Sequence, residues 1–461
     1  MQKKTKTFFL YCLFVLNVML NSMEKSPNIV LILADDMGYA DCGIHGCKDI
    51  PTPNIDRIAN QGVRFTQAYA NGSFCTPTRI ALMTGRYQQR TGNDDLPEIT
   101  GPLPLEIKMT LADHLKKAGY TTCLTGKWHM GEGDGYLPLD RGFEKFFGFH
   151  GGGHTYFPEK IDPSKAVKGY KSPIYRQEKA VKETRYLTTA FGEEAAAFIK
   201  GQQNAQKPFF LFLSFNAVHT PMEAAQDYLK RFPELKGKRK TYAAMLSAMD
   251  DAVGLVLKEL EASSMLKNTL VIFNNDNGGP TTRNAVNGSV NTPLRGSKCE
   301  TFEGGIRVPL FMMWPEMIKA GSSYDKAVMT FDITATLLNS AKTQQEKPDG
   351  VNLLPFLSGE KTGNPHEALF WRSRTRNNNY AVLRNGWKYV YSTQGTEQKG
   401  PNQTPARHML FNVNEDIQEE HDLSQKYPEI LNELKALYKK WDAEMDEDCK
   451  SLGLKLPQVK K

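Results

Sequence analysis

The sequence predicts an α/β protein: a large mixed, mostly parallel sheet sandwiched by helices, followed by a smaller C-terminal antiparallel sheet with one packed helix. Three observations predict it. Runs such as Asn28-Ile29-Val30-Leu31-Ile32-Leu33-Ala34, residues 209–215 and Leu270-Val271-Ile272-Phe273 are almost wholly apolar, as strands buried on both faces of a parallel sheet are. Amphipathic helices stand between such runs, over residues 53–59, 105–119, 188–200 and 240–260. From about Asp349 the pattern changes to short strands at residues 369–372, 380–383 and 387–391, with turns such as Arg384-Asn385-Gly386, and closes with a helix over 429–444.

A chain of 461 residues exceeds the size at which one core stops growing, so the sequence divides into a main domain over 26–345 and an α+β subdomain over 346–461. Residues 1–22 read as a secretory signal peptide. Lys3, Lys4 and Lys6 precede an apolar run, Phe8 to Leu20, that is too short for a comfortable membrane span. Export to the periplasm or medium is therefore expected, with cleavage near Ser22 and no integral membrane segment in the mature protein. Cys12 lies inside that run without the small residues of a lipid-attachment site. The formal charge of +7, or +4 without the three leader lysines, is spread along the chain rather than blocked, which argues against nucleic acid as a partner. Seven cysteines at irregular spacings make no disulfide framework, and only a Cys42–Cys47 bridge is left open.

The chemistry-bearing residues fall at the ends of the predicted strands, where open α/β sheets place their sites. The first strand ends in Asp35-Asp36-Met37-Gly38, two adjacent carboxylates that repel unless a cation joins them. Cys75-Thr76-Pro77-Thr78-Arg79 then sets a sulfur and a guanidinium at a predicted helix N-terminus, a setting that suits an oxyanion. Lys127 and His129 in Gly126-Lys127-Trp128-His129-Met130-Gly131 follow another strand and, two apart, would share a side of an extended segment. The aromatic and Gly-rich stretch from Phe146 to Phe157 suits either a sugar pocket or a loop packed by its own rings, with His154 the choice for substrate contact. Residues 160–185 read as a polar insertion without periodicity. Strand 209–215 leads to His219, and strand 270–273 leads to Asp276-Asn277-Gly278, a carboxylate and an amide oxygen. Asp35, Asp36, Asp276 and Asn277 form an oxygen-only set that suits Ca²⁺ or Mg²⁺ and disfavours zinc.

The extended pattern Cys75-x-Pro77-x-Arg79-x-x-Leu82-x-Thr84-Gly85-Arg86 resembles the signature of the type I sulfatases of the alkaline phosphatase-like superfamily, in particular the bacterial arylsulfatase A-like polysaccharide sulfatases. Asp35-Asp36-x-Gly38, Gly126-Lys127-Trp128-His129-x-Gly131, His219-x-Pro221, Asp276-Asn277-Gly278, Leu294-Arg295-Gly296-x-Lys298 and Glu303-Gly304-Gly305-Ile306-Arg307-x-Pro309 follow in the family's order. The resemblance implies a sulfuric ester hydrolase. Cys75 would be oxidised to Cα-formylglycine by a formylglycine-generating or anaerobic sulfatase-maturating enzyme, and would join Asp35, Asp36, Asp276 and Asn277 around Ca²⁺. Arg79, Lys127 and Lys298 would hold sulfuryl charge, with Lys127, His154, His219 and Lys298 contacting substrate. His129 would be the base for sulfate release, and either His219 or Lys298 the general acid.

Cys299 departs from the family, where Gly is common. The substrate implied is a sulfated carbohydrate, such as ulvan, carrageenan or a glycosaminoglycan fragment. A formylglycine-dependent phosphonate or phosphodiester hydrolase, and a sulfated-glycan binding protein with Cys75 left as thiol, are the alternatives.

Overall fold

A computed structural model describes residues 26–165, 169–282, 285–375, 378–393 and 407–458. The expected signal peptide over 1–22, with Cys12 and the cleavage point near Ser22, lies outside the described residues. No helix among the described residues is long and apolar enough to cross a membrane.

Strand β1 (Asn28–Ala34) shows why an all-apolar run makes a central strand. Side chains alternate across a strand, so Ile29, Leu31 and Leu33 pack in one core while Val30, Ile32 and Ala34 pack in the other. In chain order the elements that matter are α1 (Pro53–Asn60), β2 (Val63–Phe65), α2 (Cys75–Thr84), α3 (Leu111–Lys117), β3 (Thr121–Lys127), β4 (Lys145–Phe149), β5 (Ile174–Arg176), β6 (Lys179–Val181), α4 (Leu187–Gly201), β7 (Phe209–Ser214), α5 (Gly237–Ala262), β8 (Thr269–Asn275), β9 (Leu310–Met313), β10 (Ser322–Tyr324) and α6 (Thr330–Ser340). The ten-stranded sheet runs β10-β2-β9-β8-β1-β7-β3-β4-β5-β6. Its centre, β8 through β4, is parallel, and antiparallel strands flank it. Helices α4, α5 and α1 cover one face; α2, α3 and α6 cover the other.

Register decides where the site forms. Leu33 of β1 pairs with Ser214 of β7 and Asn274 of β8, so the three strands end level and their following residues emerge at one edge. Strand β3 joins through Gly126, paired with Ser214. Gly126 has φ 116°, and a Cβ there would lie 1.9 Å from the Ser214 carbonyl oxygen, so only glycine lets β3 end beside the others.

Two expectations change. The helix expected over 105–119 forms only over Leu111–Lys117, because Thr110 and Asp113 cap it with reciprocal bonds. Within 160–185 the chain makes the β5–β6 hairpin, whose three-residue strands are too short to show a period. Cys42 and Cys47 form no disulfide.

The C-terminal sheet is antiparallel, in order β11 (Leu369–Ser373), β12 (Asn379–Arg384), β13 (Trp387–Ser392) and β14 (Arg407–Asn412). Helix α7 (Pro428–Ser451) lies on it, stacking Tyr438 on Tyr380 at 4.1 Å and Trp441 on Phe370 at 5.1 Å. A buried ionic knot ties this sheet to the part of the chain that carries the ten-stranded sheet. Lys388 Nζ of β13 reaches Glu303 Oε1 at 2.7 Å and Glu419 Oε1 at 2.9 Å, while Tyr69 and Arg307 donate to Glu303 Oε2, each at 3.0 Å. Lys388→Met leaves two buried carboxylates facing each other, so we expect a loss of about 3–5 kcal/mol in denaturant unfolding; a loss under about 1 kcal/mol would show that the knot does not hold the small sheet in place.

Candidate active site

Adjacent residues of an extended chain point to opposite sides, yet Asp35 and Asp36 share one pocket. The reason is a left-handed turn at Asp36, φ 62°, which Asp tolerates. Asp35, Asp36 and His219 each bring a ligand atom within 4.8 Å of the others. Just after β8, Asn277 Nδ2 donates to Asp36 Oδ1 at 2.7 Å and Asp276 Oδ1 takes the Asp36 N–H at a long 3.4 Å.

Cations neutralise these acids. Lys127, the last residue of β3, places Nζ 2.5 Å from Asp35 Oδ2, and Lys298 places Nζ 2.6 Å from Asp36 Oδ1. Arg79 lies one helical turn beyond Cys75 on α2. It donates through Nε (3.1 Å) and Nη2 (2.9 Å) to Asp276 Oδ2, and through Nη1 (2.7 Å) to Ser214 Oγ. The Arg79 side chain is wholly buried and its donors are turned to the protein, so Arg79 positions Asp276.

Three buried oxygens, Asp35 Oδ1, Asp36 Oδ2 and Asn277 Oδ1, have no hydrogen-bond partner. An unpaired buried acceptor costs about 1–3 kcal/mol, and a hard divalent cation is a partner that satisfies all three together. The donor set therefore fits Ca²⁺ or Mg²⁺. Burial raises the Asp35 carboxyl, but Lys127, His219, Arg79 and Lys298 outweigh it and hold Asp35 well below the usual range. Burial and the Asp35 charge push Asp276 upward.

Cys75 is the first residue of α2 and buried, with Sγ 3.2 Å from His129 Nδ1. Burial pushes the thiol up, and burial with the charges of Lys127, Arg79, His219 and Lys298 pushes His129 far down. The thiol is therefore protonated and donates to a neutral imidazole. His129 arrives there through a left-handed turn, φ 60°, after β3 has ended, rather than by two-residue spacing within an extended run. Gly152 lies against its far side: a Cβ at 152 would sit 2.4 Å from His129 Nε2.

His219 donates from Nδ1 to the Thr220 carbonyl at 2.6 Å, leaving Nε2 at 3.7 Å from Asp36 Oδ2. Burial lowers its pKa against the pull of Asp35 and Asp36. His154 is a correction. It is fully buried, with Nδ1 2.7 Å from the Thr155 carbonyl and Nε2 2.8 Å from the Ser172 carbonyl, so it fastens the loop and presents nothing to a substrate. Cys299 has φ 79°, the left-handed region that favours glycine, and keeps its place by an N–H bond to the Ser73 carbonyl at 2.9 Å.

Some contributors were missed. Ser214 links Arg79 to the Lys127 carbonyl, to which its Oγ donates at 2.7 Å. Asn287 Nδ2 donates to the carbonyls of Asp36 (3.0 Å) and Val218 (2.9 Å), holding two strand ends together. Its Asn-Gly sequence signals only a turn.

Carboxylates open to a cation, with lysines on either side and a helix-borne residue 75 between them, define a hydrolase of anionic esters. A family model described as Sulfatase matches residues 27–343, and one described as N-sulphoglucosamine sulphohydrolase, C-terminal, matches 297–444. Human arylsulfatase A is 32% identical over 459 residues, covering 90% of this chain and 88% of that protein. Rat N-acetylgalactosamine-6-sulfatase is 33% identical over 398 residues, covering 81% and 73%. The solved structure of Ps i-CgsB in complex with k-i-k-neocarrahexaose superposes with a TM-score of 0.82 at 37% identity, covering 91% of this chain and 93% of that one. The PsFucS1 sulfatase from Pseudoalteromonas sp. gives 0.77 at 26%, covering 93% and 92%.

The chain belongs to the sulfatase family. It is a sulfuric ester hydrolase of the arylsulfatase A-like kind, on the alkaline phosphatase-like fold.

Gly152→Ala tests the cradle behind His129. A methyl group there displaces the imidazole, so we expect kcat to fall about 100-fold with little change in melting temperature. Unchanged kcat would remove His129 from the chemistry.

Proposed function

We propose that the protein removes sulfate from a sulfated carbohydrate outside the cytoplasm, through formylglycine at position 75 and a calcium ion, with Mg²⁺ the alternative. The three unpaired oxygens beside the Cys75–His129 pair carry this reading. Asp35, Asp36, Asp276 and Asn277, with residue 75, would hold the cation. When bound, it supplies Lewis-acid polarisation of the sulfate and of the attacking oxygen. Export rests on the leader sequence, and a sulfated oligosaccharide or polysaccharide rests on the likeness to Ps i-CgsB, with ulvan, carrageenan and glycosaminoglycan fragments as the classes to try.

The chain's own groups then have distinct tasks. Residue 75, oxidised by a maturation enzyme and hydrated, offers one hydroxyl to attack sulfur and a second whose later deprotonation expels sulfate. His129 Nδ1 is placed to take that proton, and burial together with the cations around it keeps it neutral and ready. Lys127 and Lys298 face the sulfuryl charge. Lys298 stays an ammonium: burial would lower it, but Asp36, Cys75, Asp35 and Asp276 raise it further. His219 is the other candidate for protonating the leaving oxygen, and would do so from Nε2 as an imidazolium, because its Nδ1 proton is held by the Thr220 carbonyl.

Three measurements check this. Mass spectrometry of the residue 75 peptide from exported protein is expected to show a loss of about 18 Da, thiol to aldehyde. Thiol alone, with a maturation system present, would make the protein a binder rather than a hydrolase. Chelation is expected to abolish turnover and lower the melting temperature, because the bound cation stabilises the folded state and three buried oxygens are left without a partner when it is removed. Finally, His219→Ala and Lys298→Ala are to be compared on sulfated oligosaccharides, a phosphonate ester and an aryl sulfate with an acidic leaving group. The variant lacking the general acid should lose about 10²- to 10⁴-fold on sugar sulfates and much less on the aryl ester. Equal losses on both would deny that role to both residues, and turnover of the phosphonate in place of any sugar sulfate would overturn the substrate class.

A further inference from the structure

We propose that Tyr170 is the platform on which the sugar ring bearing the sulfate stacks, so that this tyrosine sets the register between sugar and catalytic centre. This rests on the carbohydrate reading above. Large apolar side chains are mostly inside this protein, yet Tyr170 is 48% exposed. It stands beside the site: its ring centroid is 6.4 Å from that of His219, whose Nε2 faces Asp36.

The Gly152-Gly153 pair links Tyr170 to the nucleophile's partner. A Cβ at Gly152 would meet His129 Nε2 at 2.4 Å, and a Cβ at Gly153 would meet Tyr170 Cε1 at 1.9 Å. The backbone of these two glycines thus lies between the His129 imidazole and the exposed Tyr170 ring.

The segment that carries the ring is also held in place. The Tyr170 carbonyl accepts the Thr155 N–H at 2.9 Å, and His154 Nε2 lies 2.8 Å from the Ser172 carbonyl two residues on. That gives His154 a purpose other than substrate contact: it pins the segment carrying Tyr170. An aromatic ring carried on a fixed segment binds with less ordering cost than one on a free loop, and a pyranose offers an apolar C–H face to it while its hydroxyls and sulfate turn to polar groups. A charged anion needs no such ring, whereas a sugar carrying the anion does.

The test uses matured, metal-loaded enzyme and two probes: the sulfated oligosaccharide cleaved fastest in the panel above, and inorganic sulfate as a competitive inhibitor that fills only the anion site. Tyr170→Ala is expected to raise KM for the oligosaccharide about tenfold, with kcat and the sulfate inhibition constant within about twofold, while Tyr170→Phe and Tyr170→Trp keep KM near the parent value. An unchanged KM in Tyr170→Ala, with the parent still cleaving the oligosaccharide, overturns the platform alone. Parallel loss of oligosaccharide and sulfate binding would mean a loosened loop and also overturns it. Failure of the parent to cleave any sulfated sugar overturns the carbohydrate reading, and the platform falls with it.

Discussion

The structure depends on a balance of buried charge. Asp35, Asp36 and Asp276 lie together at the carboxyl end of the sheet, and Arg79, Lys127 and Lys298 face them. Two like charges 4 Å apart at an effective dielectric of 20 repel by about 4 kcal/mol, so no one of the acids is tolerable without its partners. The cations arrive from three separate parts of the chain: helix α2, the end of β3 and the loop before Glu303. The strands must therefore end level, and the helix must start where it does, for the cluster to exist at all. Three carboxylates against three cations sum to zero. A divalent cation among the unpaired oxygens makes the pocket positive, which is what an anionic ester requires.

The C-terminal sheet takes part in that balance at one remove. Arg295 Nη1 donates to the Glu419 carbonyl at 2.7 Å, and the Glu419 carboxylate accepts the Glu303 N–H at 2.7 Å. The loop that delivers Lys298 to Asp36 is thus held at both ends by one residue of the smaller unit. On the other side Arg372 of β11 clasps Asp94 at 2.8 Å and binds Asp442 and Asp446 of α7 at 2.7 and 2.9 Å. That fixes the segment following α2. The small sheet is better understood as a clamp on two loops of the large one than as an appendage.

The parallel core was legible because a strand buried on both faces has nothing but apolar residues, and β1, β7 and β8 read that way. Their polar termini were legible for the complementary reason: acids and amides directly after such runs have no structural excuse. Short edge strands were not legible. β5, β6 and β10 have three residues each, fewer than one comparison of period needs. His154 was misplaced because a Gly-rich aromatic loop has the same composition whether its rings face a ligand or one another. Here His150 stacks on Tyr175 at 4.5 Å and on Phe146 at 5.3 Å, and His154 turns inward to carbonyls. Ser214 and Asn287 were invisible because a serine ending an apolar strand and an Asn-Gly turn carry no motif, whatever they bond.

The surroundings of residue 75 explain why a plain cysteine suits this pocket poorly as a nucleophile. Burial raises the thiol, and Asp276 and Asp35 add to that, against the opposing pull of Lys127 and Lys298. A thiolate would have to form beside two carboxylates and then approach an anionic ester, three unfavourable encounters in a buried space. The proposed hydrated aldehyde avoids all three, since its hydroxyls are neutral until the moment of transfer. Its second proton needs an acceptor that is itself uncharged, and the His129 imidazole in contact with residue 75 is held neutral by burial and, after it, by the same lysines and arginine that balance the acids. The charge cluster thereby does two things at once: it prepares a seat for the cation and keeps His129 free to receive a proton.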